Sequence, residues 1–309
     1  MSDRIPIISQ KQVAAFLKPR PHDSHKGQFG TVLVIGGASG MVGAALLAGR
    51  AALKLGAGCV HVGLLADDAP KVGNPLSGKP DAELSPPVVD MVQPELMLHR
   101  MHDIGSSTPF ALSQPKDSHV LAIGCGMGTS IAAQKLLFDV LKLDTALVLD
   151  ADALNLLARH PDLQDDLRAR HAATVITPHP GEAARLLGIG TAEVQAARTK
   201  NARRLAKSLH CAVVLKGADS VCVTRDGETA LNKTGNPGMS APGMGDALTG
   251  MIAAFIAQGL DADQALMLAV HLHGAAGDAL AEQGIAVGMT ATEVTECARR
   301  LLNQWVSQV

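Results

Sequence analysis

Short apolar runs, each closed by a cluster of glycine, proline or acid, alternate along this chain with longer stretches whose apolar residues recur at helical spacing. Residues 31–35 read as a buried strand, Gly36-Gly37-Ala38-Ser39-Gly40 as a turn, 42–55 as an Ala-rich helix and 58–64 as the next strand. Strand, glycine turn, helix and strand in that order make a parallel crossover unit. The pattern resumes with a strand at 119–123, the turn Gly124-Cys125-Gly126-Met127-Gly128 and a helix over 131–143. Further strands are predicted at 146–149, 172–177, 211–216 and 220–224, and helices at 182–187, 191–209, 247–258 and 263–283. Thr290 and Glu293 have the spacing of a capping box that opens a last helix. Between Asp67 and Asp117, prolines and polar residues break the periodicity, and only short strands and loops are expected. This alternation predicts an α/β fold: a doubly wound, mostly parallel central sheet flanked by helices on both faces. No linker, repeat or charge block divides it, so residues 1–309 read as a single domain.

Polar and glycine residues collect where the predicted strands end: Gly36-Gly37, Gly124 to Gly128, Asp150-Ala151-Asp152, Thr177 to Glu182, and Lys216 to Asp219. Turn chemistry alone accounts for any one of these. Together they would line one edge of a parallel sheet, which is where such folds bind ligands.

The most informative stretch runs from Asn236 to Gly250: a glycine-rich loop, Gly243-Met244-Gly245, then Asp246, then an apolar helix. Bare backbone amides and the positive end of a helix suit an anion. An aspartate there repels phosphate, but it suits a base that takes the proton of a hydroxyl about to receive a phosphoryl group. The competing reading makes Asp246 an ordinary helix N-cap. No Gly-Lys-Ser/Thr follows, so this is not a Walker loop, and Gly36-Gly37-x-x-Gly40-x-x-Gly43 lacks the dinucleotide fingerprint. Prolines on both sides of His179 aim its imidazole; Glu182 fits either a helix cap or a magnesium-bound water; Lys216 either reaches phosphate or snorkels. His271 and His273 do not share a helix face, so no zinc site is expected.

Composition narrows the field. A net charge of −2 gives no footprint for nucleic acid or an anionic membrane, and 2% aromatics with no Tyr give no base-stacking platform. The apolar share of 47% supports a large core. The five cysteines are scattered with no CxxC pair and read as buried thiols in a reducing compartment. Neither a signal peptide nor an apolar run of membrane-spanning length is visible, so a cytoplasmic protein is expected.

Taken in order, His25-Lys26-Gly27-x-Phe29-Gly30, Val34-Ile35-Gly36-Gly37, Gly43-Ala44-Ala45, Asp150-Ala151-Asp152-Ala153-Leu154-Asn155, Thr177-Pro178-His179-Pro180-Gly181-Glu182, Leu215-Lys216-Gly217, Asn236-Pro237-Gly238-Met239 and Gly245-Asp246-x-Leu248-Thr249-Gly250 resemble the ADP-dependent NAD(P)H-hydrate dehydratases of the ribokinase-like superfamily. The resemblance covers residues 27–292. It implies a ribokinase-like fold and a hydro-lyase that repairs hydrated NADH or NADPH, with ADP (or ATP) as co-substrate and Mg2+ as cofactor. It also implies that Asp246 is the base, and that Gly243 and Gly245 hold the transferring phosphate. Lys216, Gly217, Ala218, Asp219, Ser220 and Gly245 would bind ADP or AMP. Ala45, Gly126, His179 and Asp246 would bind the hydrate, and Glu182 would hold a magnesium-bound water. The epimerase domain fused to many relatives has no room here, so a stand-alone dehydratase is expected, working beside a separate epimerase and forming a homo-oligomer such as a tetramer. The chain departs from the family at Ser240-Ala241-Pro242, where a hydroxyl and a glycine are lost, and at Cys125, where proline is usual. Two other readings stay open: a kinase of a small alcohol of the vitamin-precursor type, and a nucleotide-binding regulator that has lost turnover.

Overall fold

The computed structural model describes residues 5–65, 89–101 and 119–308. Nine strands form one sheet among these residues: β1 Thr31–Gly36, β2 Cys59–Leu65, β3 Met97–Met101, β4 His119–Ile123, β5 Ala146–Leu149, β6 Thr174–Ile176, β7 Ala212–Leu215, β8 Ser220–Val223 and β9 Thr229–Asn232. Their order is β3-β2-β1-β4-β5-β6-β7-β8-β9. Pairing is parallel from β3 to β7, and β8 and β9 close the sheet as an antiparallel ribbon. The order reverses between β1 and β4, which makes their C-terminal ends the switch point of a doubly wound sheet.

The helices are α1 Gln10–Ala14, α2 Val42–Lys54, α3 Ile131–Leu141, α4 Asp152–Arg159, α5 Pro161–Arg168, α6 Pro180–Leu187, α7 Thr191–Ala196, α8 Arg198–Leu209, α9 Met244–Ala257, α10 Ala262–Glu282 and α11 Ala291–Val306. Strand residues alternate between two buried faces, as a covered parallel sheet requires. Val32, Val34, Val60, Val62, Val120 and Val148 belong to the core that includes α2, α9, α10 and α11. Leu33, Ile35, Leu121, Ile123, Leu147 and Leu149 belong to the opposite core, with α3 to α6 and α8. The smaller residues face α9, so that helix sits close to the sheet. Alongside it in the same layer, a Cβ on Gly250 would collide with the carbonyl oxygen of Ala48, so α2 and α9 pack almost backbone to backbone.

Most predicted elements stand within a residue or two of their expected places, and the capping box of Thr290 and Glu293 is formed. Three expectations change. The helix over 191–209 is two helices, because Ala197 leaves helical geometry at φ −141°, ψ 50°. The helix over 247–258 starts three residues early, at Met244, because Gly243 in the left-handed region (φ 87°) turns the chain directly into it. Cys59 is half-buried at the start of β2, whereas the other four thiols are buried as expected. Sequence reading passed over α1, α4, α5 and β9, all short. The irregular region 67–117 lies largely outside the described residues, with β3 the part of it that forms a strand.

Candidate active site

Backbone hydrogen bonds tie each loop at the strand C-termini to the next. Gly37 N donates to Cys125 O (3.0 Å) and Ala38 N to Gly126 O (2.7 Å), bridging the switch point. Asp152 N donates to Gly124 O (3.2 Å), Thr177 N to Leu149 O (3.1 Å) and Lys216 N to Pro178 O (2.8 Å). Residues far apart in the chain thus share one edge.

At the centre of that edge lies a buried ion pair. Lys216 Nζ donates to Asp150 Oδ1 at 2.7 Å. The other Asp150 oxygen accepts from Thr249 Oγ1 of α9 at 3.0 Å. Ala151 beside it is a non-glycine residue at φ 47°, a strained turn that carries the chain from Asp150 straight into α4. Lys216 is 20% exposed and Asp150 2%, so the ammonium does not snorkel to solvent but is clamped to the cluster. It lies at the mouth of α9, because a Cβ on Gly245 would be 3.2 Å from its Nζ. Burial pulls its pKa down, but Asp150 and then Glu182 outweigh that and leave it raised.

Asp246 sits in the first turn of α9, and Gly243 is the N-cap, with no side-chain cap bond there. The N-cap reading of Asp246 is therefore corrected. Its carboxylate faces Cys125 Sγ and the Asp150 carboxylate, all three groups lying within 4.8 Å of one another. Burial raises its pKa to about 6; the neighbouring Cys125 thiol opposes the rise, the Asp150 charge adds to it and Lys216 opposes it. Burial, then the Asp246 and Asp150 charges, push the Cys125 thiol well above its usual range, so it stays protonated.

On the next loop His179 caps α6. Its Nδ1 accepts from Gly181 N (3.0 Å), which leaves the proton on Nε2, 3.3 Å from Glu182 Oε1. Glu182 Oε2 accepts from His179 N at 2.7 Å, so the capping reading of Glu182 is realised. Glu182 is also 4.0 Å from Lys216 Nζ, and burial raises its pKa to about 7. Burial, Lys216 and Arg185 lower His179, whose ring is half-exposed.

Of the other residues singled out from sequence, Gly126 is buried in the switch-point turn. Ala45 is fully buried in α2, under Gly37, so its methyl packs beneath the turn rather than facing open space. Gly217, Ala218 and Asp219 form an exposed turn that leads into Ser220. Arg198 Nη2 holds that turn by the carbonyls of Leu215 (3.0 Å) and Lys216 (3.3 Å). Sequence reasoning did not assign roles to Cys125, Thr249 or Arg198, and nothing local marks them: their partners are distant in the chain. Asp150 reads from sequence as a turn residue at a strand end.

Such an edge can place an anion over the amides of Gly243 and Gly245 beside Lys216, with a carboxylate near enough to take a proton. Among the described residues no helix is long and apolar enough to cross a membrane.

Comparison with known proteins shows the family of the chain. The chain is 39% identical over 290 residues to the ADP-dependent (S)-NAD(P)H-hydrate dehydratase of Neisseria meningitidis, covering 93% of this chain and 90% of that protein. It is 36% identical to the bifunctional NAD(P)H-hydrate repair enzyme of Escherichia coli, covering 98% of this chain; it spans 53% of that longer protein. A crystal structure of the ADP/ATP-dependent NAD(P)H-hydrate dehydratase from Bacillus subtilis, co-crystallised with ATP and Mg2+, superposes with a TM-score of 0.79 at 28% identity, covering 98% of this chain and 100% of that one. The family model described as NAD(P)H-hydrate dehydratase matches residues 32–300, and the chain belongs to that family.

Proposed function

We propose that this chain dehydrates hydrated NADH or NADPH, consuming ADP and releasing AMP and phosphate. One observation carries the reading: a half-buried carboxylate, Asp246, stands in the first turn of α9 beside the bare amides of Gly243 and Gly245 and the ammonium of Lys216. Asp246 takes the proton of the ring hydroxyl as its oxygen attacks the terminal phosphorus of ADP and AMP departs. The hydroxyl thereby becomes a phosphate ester, a far better leaving group. The ring-nitrogen lone pair then expels phosphate, and loss of a proton from the neighbouring carbon restores the double bond. The amides and the helix dipole hold the charge that develops on the transferring group.

In this reading Lys216, Gly217, Ala218, Asp219 and Ser220 line the nucleotide side, while Gly126 and His179 border the hydrate, with Ala45 shaping its floor through Gly37. Magnesium fits the charge balance. Around the ammonium of Lys216 stand the carboxylates of Asp150, Glu182 and Asp246, with Arg185 a second cation near Glu182, and a nucleotide would add to that negative excess. Mg2+ bound with the phosphates would offset it, and Glu182 would hold one of its waters. The free thiols suit a reducing cytoplasm. A homo-oligomer such as a tetramer, and a separate epimerase acting on the opposite hydrate epimer, belong to the same proposal.

The test incubates the protein with hydrated NADH, ADP or ATP, and Mg2+, following NADH absorbance together with AMP and phosphate. Recovery of NADH with stoichiometric phosphate is expected, and Asp246→Asn should abolish it while nucleotide still binds. A stable phosphorylated alcohol would indicate the kinase reading instead, and binding with no turnover the regulatory one.

A further inference from the structure

Cys125 is fully buried in the turn after β4 and belongs to no step described above. Its place is nevertheless set closely. The carbonyl of Cys125 accepts from Gly37 N at 3.0 Å, and Gly124 N donates to Ile35 O at 3.1 Å, so the turn is stitched to β1 on both sides of the thiol. The thiol sulfur lies within 4.8 Å of a carboxylate oxygen of Asp246. Its sulfur also lies within 4.8 Å of Asp150, whose oxygens are already taken by Lys216 and Thr249. Asp246 is therefore the acceptor with capacity left for an S–H donor.

A buried carboxylate with no partner would swing toward Lys216 or out to water. We propose that Cys125 is a positioning residue for the base: its S–H holds one oxygen of Asp246 inward and leaves the other aimed at the hydroxyl to be deprotonated. The inference rests on Asp246 being the base. The proton stays on sulfur throughout, because a thiolate beside two carboxylates is strongly disfavoured. The groups that face Asp246 are Cys125 on the β4 turn, Asp150 at the end of β5, Asp152 on α4 and Lys216 at the end of β7.

The experiment compares the wild type with Cys125→Ala and Cys125→Ser, measuring kcat and KM for the hydrate across pH. Alanine removes the donor. Expected are a roughly tenfold fall in kcat with KM little changed, the worth of one hydrogen bond to a charged group, and an acid limb of kcat/KM moved to higher pH as the ionised base loses its donor. Serine keeps an O–H at the same place and should restore both. An unmoved limb in the alanine variant, or a serine variant as impaired as alanine, overturns the proposal. Turnover surviving in Asp246→Asn would instead defeat the reading of the base itself. Should Cys125→Ala fail to fold, the S–H stretching band that vanishes in Cys125→Ser is followed on Asp246→Ala. A band displaced toward the free-thiol frequency supports the pairing, and an unchanged band rules it out.

Discussion

At the scale of single residues, the site is held in a state its own fold resists. Asp246 is raised to about 6 by burial, above its ordinary value of 3.8. The folded protein thus binds that proton more tightly than the unfolded chain does. Its contribution favours folding at low pH, fades as pH rises through about 6, and opposes folding at neutral pH. Asp246→Asn, inactive, should be more stable than the wild type at pH 8 by on the order of 1–3 kcal/mol, with the gap closing below pH 4. Urea unfolding at the two pH values measures this, and equal stability at pH 8 would count against the buried, ionised base. In the wild type, turnover should climb through the same range, since the base works only when deprotonated. The grouping of Gly243, Gly245 and Asp246 was legible in the sequence because it is local: amides, an acid and a helix start within a few residues. Cys125, Asp150 and Thr249 were not, since Lys216 is 66 residues from Asp150 and Thr249 is 99.

At the scale of elements, periodicity located the long helices and the buried strands, whose two apolar faces leave a plain mark. It failed where a boundary depends on one backbone torsion. Nothing in the composition of 191–209 announces the break at Ala197, and a glycine-rich run does not say which glycine becomes the cap. Two-turn helices such as α4 and α5 offer too few repeats to stand out. The tight α2–α9 contact was equally silent, although it fixes the helix that carries Asp246. Gly250→Ala should cost about 1–3 kcal/mol, because the new methyl meets the Ala48 carbonyl and the small gain in helix propensity does not compensate. Gly43→Ala in α2, where nothing lies within 4 Å, should be neutral or stabilising. Thermal unfolding of the pair separates a packing role from propensity: matching shifts would remove the packing argument.

At the scale of the whole molecule, the alternation of strands and helices was enough to foresee a doubly wound sheet and the edge where its polar loops gather, because parallel connection leaves few topologies. The antiparallel ending was less visible, and there the chain does something the strand pattern did not foretell. Its beginning returns to its far side: Ile8 N donates to Leu231 O and Leu231 N to Pro6 O, both at 2.9 Å, so a short extended segment lies alongside β9. That segment acts as a clasp over the last strand. Cutting the chain after Ile8 would bare the amide and carbonyl of Leu231, a template on which another copy's strand can nucleate. The shortened protein should keep its chemistry, since the cluster of Asp150, Lys216 and Asp246 is built on other strands, yet scatter light on standing at concentrations where the intact chain stays clear. Those few residues, remote from any reacting atom, would then serve as this enzyme's safeguard against assembling with itself the wrong way.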